Sequence, residues 1–263
     1  LYVVADGMGG HAAGEVASRL AVETIHEWMG KYLSGADAVT AGPAAPAGSA
    51  EANFLLSSIR LANRIIFDSA KDRPEYAGMG TTVVAVLARG DRFVLAHVGD
   101  SRIYRIRRDD ISQISRDHSF VQEQVDSGMM SATEAHQSQY RHMITRALGL
   151  KESVDVDLTE QPACPGDVLL LCSDGLSDLL DDEDMLAAVR AHVDNLDEAC
   201  RALVDRANSK GGDDNITVLV VQAQAGDEAE PVRHGRTGAT DAAEALGVFA
   251  RLRRAWKDTI GGS

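Results

Sequence analysis

Cysteine is scarce. Only Cys164, Cys172 and Cys200 occur, with no CxxC spacing, which points to a reducing compartment and excludes a disulfide scaffold or a cysteine-built zinc site. Long apolar runs are missing too: no stretch approaches the roughly 20 residues a membrane-spanning helix needs, and the chain does not open on a signal-peptide pattern. A soluble cytoplasmic domain is the expectation. Basic residues are in deficit, 26 Lys and Arg against 40 Asp and Glu for a net charge of −14, so attraction to nucleic acid or an anionic membrane is disfavoured. The eight histidines show no HExxH or paired spacing, which again argues against zinc. What is present is apolar material, 44% of 263 residues, enough for one large core or two small ones.

Periodicity divides the chain. From Ala13 the apolar residues Val16, Ala17, Leu20, Ala21, Ile25, Trp28 and Met29 fall on one helical face to about Tyr32, and a second stripe runs through Leu55, Leu56, Ile59, Ala62 and Ile66. Residues 34–50 between them have loop composition. The period then becomes strand-like at Thr81–Leu87, Arg92–Val98, Ile103–Ile106 and Ile111–Ile114, which predicts an antiparallel meander. Residues 117–147 are polar and helix-like without a core pattern and are expected to form a mobile flap. Val168–Cys172 and Ile216–Val221 read as buried strands, with two helical stretches within 183–209. Without regular strand–helix alternation this predicts a layered α+β domain rather than a parallel doubly wound sheet. The domain is expected over 1–222, followed by a linker at 223–240 and a tail at 241–263. An amphipathic helix at 241–258, with Leu246, Phe249, Leu252 and Trp256 among basic residues, would dock on a partner, a membrane surface or its own domain. Leu1 already lies in a strand-like run, so the chain is expected to begin inside a domain.

Four aspartates sit at strand boundaries: Asp6, Asp100, Asp174 and Asp214. One Asp-Gly after a strand is an ordinary turn. Several carboxylates brought to one rim repel unless protonated or neutralised, and a hard divalent ion such as Mg²⁺ or Mn²⁺ is the fitting neutraliser.

The residues Val4-Ala5-Asp6-Gly7-Met8-Gly9-Gly10-His11, with Gly14-Glu15, resemble the metal-binding motif of bacterial metal-dependent Ser/Thr protein phosphatases of type 2C. Gly80-Thr81-Thr82, Val98 through Tyr104, Asp117-His118-Ser119, Thr145 through Gly149, Cys172 through Leu176 and Gly211 through Thr217 resemble that family's successive blocks, in order. The resemblance implies a four-layer α-β-β-α sandwich with two central antiparallel sheets, and metal-dependent hydrolysis of phosphoserine and phosphothreonine on proteins. It implies that Asp6 bridges two ions, Mn²⁺ or Mg²⁺, that Gly7 offers its carbonyl to one, and that Asp174 and Asp214 complete the pair. Asp6 and Asp174 are then the residues closest to the chemistry. Asp100, with Asp174, matches the position of a third, weaker ion. Two ions sharing a water lower its pKa and present hydroxide to phosphorus. Thr81, Ser101, Ser173 and Asn215 are candidate supporting hydrogen-bond partners. The implied partners are Ser/Thr kinases and their substrates.

Departures from the pattern matter as well. The family's phosphate-gripping Arg lies in a segment before the Asp-Gly strand, which this sequence does not contain, so the substrate-binding residues stay unassigned. Arg102, Arg116 and Arg146 are weak candidates to replace it. Met8 stands where many eukaryotic members carry a His proposed as general acid, and Met transfers no proton. Gly7-x-Gly9-x-x-Ala12 also fits a dinucleotide fingerprint, but no second strand ends in an acidic residue about 20 residues on. Cys200 and Arg206 have cysteine-phosphatase spacing without the glycines that cradle a phosphate, and Gly99-x-Ser101 lacks the last glycine of a nucleophile elbow. The remaining alternative is a non-catalytic scaffold of the same shape that binds metal or phosphoprotein.

Overall fold

Odd and even residues along one strand decide the architecture. A computed structural model describes residues 1–35, 43–45, 48–212 and 214–224. The chain begins with β1 (Tyr2–Val4) and β2 (Gly7–Met8), then α1 (His11–Leu33) and α2 (Ala50–Asp72). Next come β3 (Gly80–Thr81), β4 (Val83–Arg89), β5 (Arg92–Val98), β6 (Arg102–Arg107) and β7 (Asp110–Gln113). The flap carries α3 (Phe120–Asp126) and α4 (Ala132–Gln137). β8 (Asp157–Pro162), β9 (Val168–Cys172), α5 (Asp174–Ser177), α6 (Asp182–Ala191), α7 (Leu196–Ser209) and β10 (Val218–Gln222) complete it.

Successive side chains of a strand point to opposite faces. In β4, Val83, Ala85 and Leu87 join the α1–α2 stripe of Ala17, Ala21, Ile25, Leu55, Ile59 and Ile66 in one buried cluster. Val84 and Val86 turn the other way and meet Ile103, Leu169 and Leu171 of the second sheet. The far face of that sheet, through Tyr104, Ile106 and Leu170, packs on Leu176, Met185, Val189 and Leu203 of α5–α7. Two antiparallel sheets, ordered β1-β4-β5-β8 and β10-β9-β6-β7, thus lie between two helical layers, giving the four-layer α-β-β-α sandwich.

The single meander expected over 81–114 is not what forms. β4–β5 and β6–β7 are hairpins of different sheets, and the chain crosses between them at Gly99–Ser101. Gly99 has φ +105°, and a Cβ there would lie 2.6 Å from Thr82 Cγ2, so only glycine allows this close passage. β8 escaped the periodicity reading because it borders its sheet with only Leu158 among its residues packed on the core. α2 starts ahead of its apolar stripe, at Ala50, because Ser49 Oγ accepts from the Ala52 N–H and caps it. The flap is built as short helices: α3 and α4 bury only Val121 and Ala135, and Ser131 with Glu134 forms a capping box. Among the described residues no helix is long and apolar enough to cross a membrane. Most of the expected linker and all of the 241–258 helix lie outside the described residues.

Candidate metal centre

Strand ends carry the acidic residues to one rim, and backbone clips hold them there. Asp6 follows β1. Its N–H donates to Thr82 Oγ1 at 3.0 Å, and its carbonyl accepts from the Thr82 N–H at 2.9 Å and from Thr81 Oγ1 at 2.8 Å. Thr82 Oγ1 also lies 2.7 Å from Ser101 Oγ, next to Asp100. Asp174 opens α5 directly after β9. Ser173 Oγ donates to the Asn215 carbonyl at 3.1 Å and accepts from the Thr217 N–H at 3.0 Å, which fastens the Asp214 loop beside Asp174. The Asn215 N–H donates to Asp214 Oδ1 at 2.7 Å. A Cβ on Gly175 would stand 2.4 Å from the Asn215 carbonyl oxygen, and one on Gly7 2.0 Å from that of Gly14. Glycine at these two positions lets the loops close on the site.

The electrostatics record the convergence. Burial first, then the charge of Asp174 and a hydrogen bond with it, then Asp214 and Asp100, push the Asp6 carboxyl up to about 7. Burial, followed by Asp174 and Asp117, pushes Asp100 up to about 7. Asp174 Oδ1 is buried and has no hydrogen-bond partner. Repelling carboxylates with an orphaned oxygen among them form an all-oxygen donor set of the kind that suits a hard divalent cation. The residues present therefore fit Mn²⁺ or Mg²⁺.

All four aspartates singled out from the sequence are brought together. Of the supporting residues, Thr81 holds the Asp6 carbonyl, Ser101 bonds Thr82, and Ser173 and Asn215 bond each other. Sequence reasoning missed Thr82, Asp178 and His142. Asp178 lies four residues after Asp174 on the same helical turn, a spacing that offered a signal. Its carboxyl is pushed up by burial and by Asp174. His142 comes from the flap, 3.2 Å from Asp178 Oδ2 through its Nδ1, and nothing in the sequence placed it there.

The three arginines considered for phosphate binding are committed elsewhere. Arg102 grips both oxygens of Asp117 and donates to Tyr104 Oη, Arg116 pairs with Asp126, and Arg146 pairs with Asp157 at 2.8 Å.

Comparison with known proteins agrees with this geometry. A family model described as "Protein phosphatase 2C" matches residues 1–211. The serine/threonine protein phosphatase PstP of Mycobacterium tuberculosis is 38% identical over 243 residues, which cover 92% of this chain and 44% of PstP. This chain therefore spans less than half the length of that relative. The serine/threonine phosphatase stp of Listeria monocytogenes is 36% identical over 222 residues, covering 84% of each. Among solved structures, the catalytic domain of PstP in complex with two manganese ions superposes with TM-score 0.71 at 38% identity, over 85% of this chain and 87% of that one. This chain belongs to the protein phosphatase 2C family.

Proposed function

We propose that this chain hydrolyses phosphoserine and phosphothreonine monoesters on proteins with the help of Mn²⁺ or Mg²⁺. The observation that carries the reading is the meeting of Asp6, Asp100, Asp174 and Asp214 around the orphaned Asp174 oxygen. Asp6, the Gly7 carbonyl, Asp174 and Asp214 would hold two ions, and Asp100 with Asp174 a third. When bound, the ions supply neutralising charge for a phosphate dianion and lower the pKa of a water ligand. The chain's own part is placement. Thr81 and Thr82 fix the Asp6 backbone, and Ser173 with Asn215 fixes Asp214 against Asp174, so the carboxylates meet incoming charge without reorganising. Phosphoryl transfer asks mostly for positioning and charge neutralisation, so the reaction requires no covalent protein nucleophile. Met8 carries no proton, so leaving-group protonation falls to water or another group. The working unit is residues 1–222, and its partners are phosphorylated proteins, among them Ser/Thr kinases and their substrates. Three unpaired cysteines suit a reducing cytoplasm.

The test is phosphate release from a phosphothreonine peptide by the folded chain, with Mn²⁺ and with excess chelator. Release that stops with chelator is the expected result. Release indifferent to chelator overturns the metal assignment, and no release from folded, Mn²⁺-loaded protein overturns hydrolysis by this chain and leaves two readings, a site that needs the family's phosphate-gripping Arg or a non-catalytic scaffold.

A further inference from the structure

Behind Asp100 lies a buried group that the metal centre does not use. His97, at the end of β5, and His118, at the foot of the flap, are 8% and 7% exposed, and their rings stack at 4.8 Å with 17° between planes. With Asp157 they bring ligand atoms within 4.8 Å of one another, but parallel rings do not converge their lone pairs on one point. Arg146 Nη1 already supplies positive charge there, 2.8 Å from Asp157 Oδ1 and 3.1 Å from His118 Nε2. The arrangement is a clamp rather than a metal site.

What it clamps is the turn that carries Asp100. The His118 N–H donates to the Gly99 carbonyl at 2.9 Å, and His118 Nδ1 accepts from the Gly99 N–H at 3.1 Å. Gly99 is thus gripped at both its polar groups by one residue, while Thr82, which also holds Asp6, stands on the side a Cβ would occupy, 2.6 Å from that place through its Cγ2. With Nδ1 as acceptor the neutral ring carries its proton on Nε2, 3.4 Å from Asp157 Oδ1, so the neighbouring Arg146 Nη1 donates to Asp157 and not to the ring. The His118 carbonyl accepts from the Thr145 N–H at 2.8 Å, which closes the base of the flap on the same residue.

We propose that His118 is a positioning residue for Asp100: by holding both polar groups of Gly99 it sets the aim of the Asp100 carboxylate toward the third ion. The proposal rests on the metal reading above. Burial, His97 and Arg146 lower the imidazole pKa to about 4, so the ring is neutral and its Nδ1 lone pair stays available to Gly99 at physiological pH.

Two variants separate the contacts. His118→Asn presents an oxygen near the place of Nδ1 and keeps an acceptor for Gly99, whereas His118→Gln reaches the place of Nε2 and keeps only the Asp157 side. Calorimetric Mn²⁺ titration of the wild type is expected to resolve two tighter ions and one weaker. Asn should retain the weaker ion, and Gln should weaken it by about tenfold or more, as loss of an outer hydrogen-bond partner does, with the tighter pair unchanged in both. Equal behaviour of the two variants, or a weaker ion retained by Gln and lost by Asn, overturns the role of His118 while leaving the metal reading intact. Wild type with two ions and no third also overturns it, and wild type that takes up no Mn²⁺ overturns the metal reading itself. Should His118→Gln not fold, the ¹⁵N spectrum of the wild-type imidazoles decides: an Nε2–H tautomer at His118 supports the clamp, and an Nδ1–H tautomer overturns it.

Discussion

The carboxyl groups of Asp6 and Asp174 come together at the rim of the sandwich, where the charge of Asp174 is, after burial, the largest cause that raises Asp6, although one residue leaves β1 in the first sheet and the other leaves β9 in the second. Their contact joins the two sheets at the site, and its electrostatic cost is visible in every acidic neighbour whose pKa is displaced.

Asp174 contributes a repulsion felt by Asp6, Asp100 and Asp178. Asp174→Asn should therefore raise the melting temperature of the metal-free protein while removing the rise that Mn²⁺ produces. Turnover should fall about 100-fold, or ~3 kcal/mol of barrier, the scale for losing one charge-stabilising group. Paired melting curves with and without Mn²⁺, alongside peptide dephosphorylation, check both halves. An unchanged rate at saturating Mn²⁺ contradicts the assignment.

Mn²⁺ binding should release protons. Asp6 and Asp100, each raised to about 7 in the metal-free chain, are partly protonated near neutrality, and a cation binds the ionised forms. Calorimetry in buffers of different ionisation enthalpy should find proton release at pH 6 to 7 that fades above pH 8 or so. Release that does not change with pH contradicts the convergence of these carboxyls at the rim.

His118 shifts the other way, from 6.5 down to about 4. Between those values the unfolded chain takes up a proton that the folded one refuses, so this contribution to stability is full above pH 6.5 and is lost as pH falls toward 4. The acidic cluster has the opposite sign, because Asp6 and Asp100 bind protons more tightly when folded. It is present in wild type and in His118→Asn alike and cancels in their difference. Wild type should lose more stability than His118→Asn on acidification from pH 6.5 to 4, as measured by urea unfolding of the metal-free proteins. Parallel losses count against it.

Gly175→Ala tests the closure of the Asp214 loop. The added methyl meets the Asn215 carbonyl at 2.4 Å and must push the loop outward. Stability should fall by about 1–3 kcal/mol, the usual range for overpacking, and Mn²⁺ affinity should fall with it because Asp214 moves. A variant that melts lower yet binds Mn²⁺ as tightly as wild type separates packing from metal placement.

The apolar stripes of α1 and α2 and the alternation in β4 were legible in the sequence because each is a local period, set by 3.6 residues per turn or by two residues per pleat. The four aspartates were legible too, as acids at strand boundaries, three after a strand and Asp214 before one, in blocks that resemble one family. Three things were not. The hairpins β4–β5 and β6–β7 look like one meander in sequence and part at Gly99, where close passage against Thr82 sends the chain into a second sheet. Arg102, Arg116 and Arg146 lie in or near the blocks as weak candidates to grip phosphate, yet each pairs with a carboxylate in the fold. His118 reads as part of a motif, and only folding sets its ring behind Gly99 with His97 against its face. Periodicity and motif order determine elements and residue types, because those depend on neighbours in the chain. Which carboxylates share a rim, which cations remain free and which histidine grips which turn depend on contacts between distant segments, and those are decided when the two sheets pack.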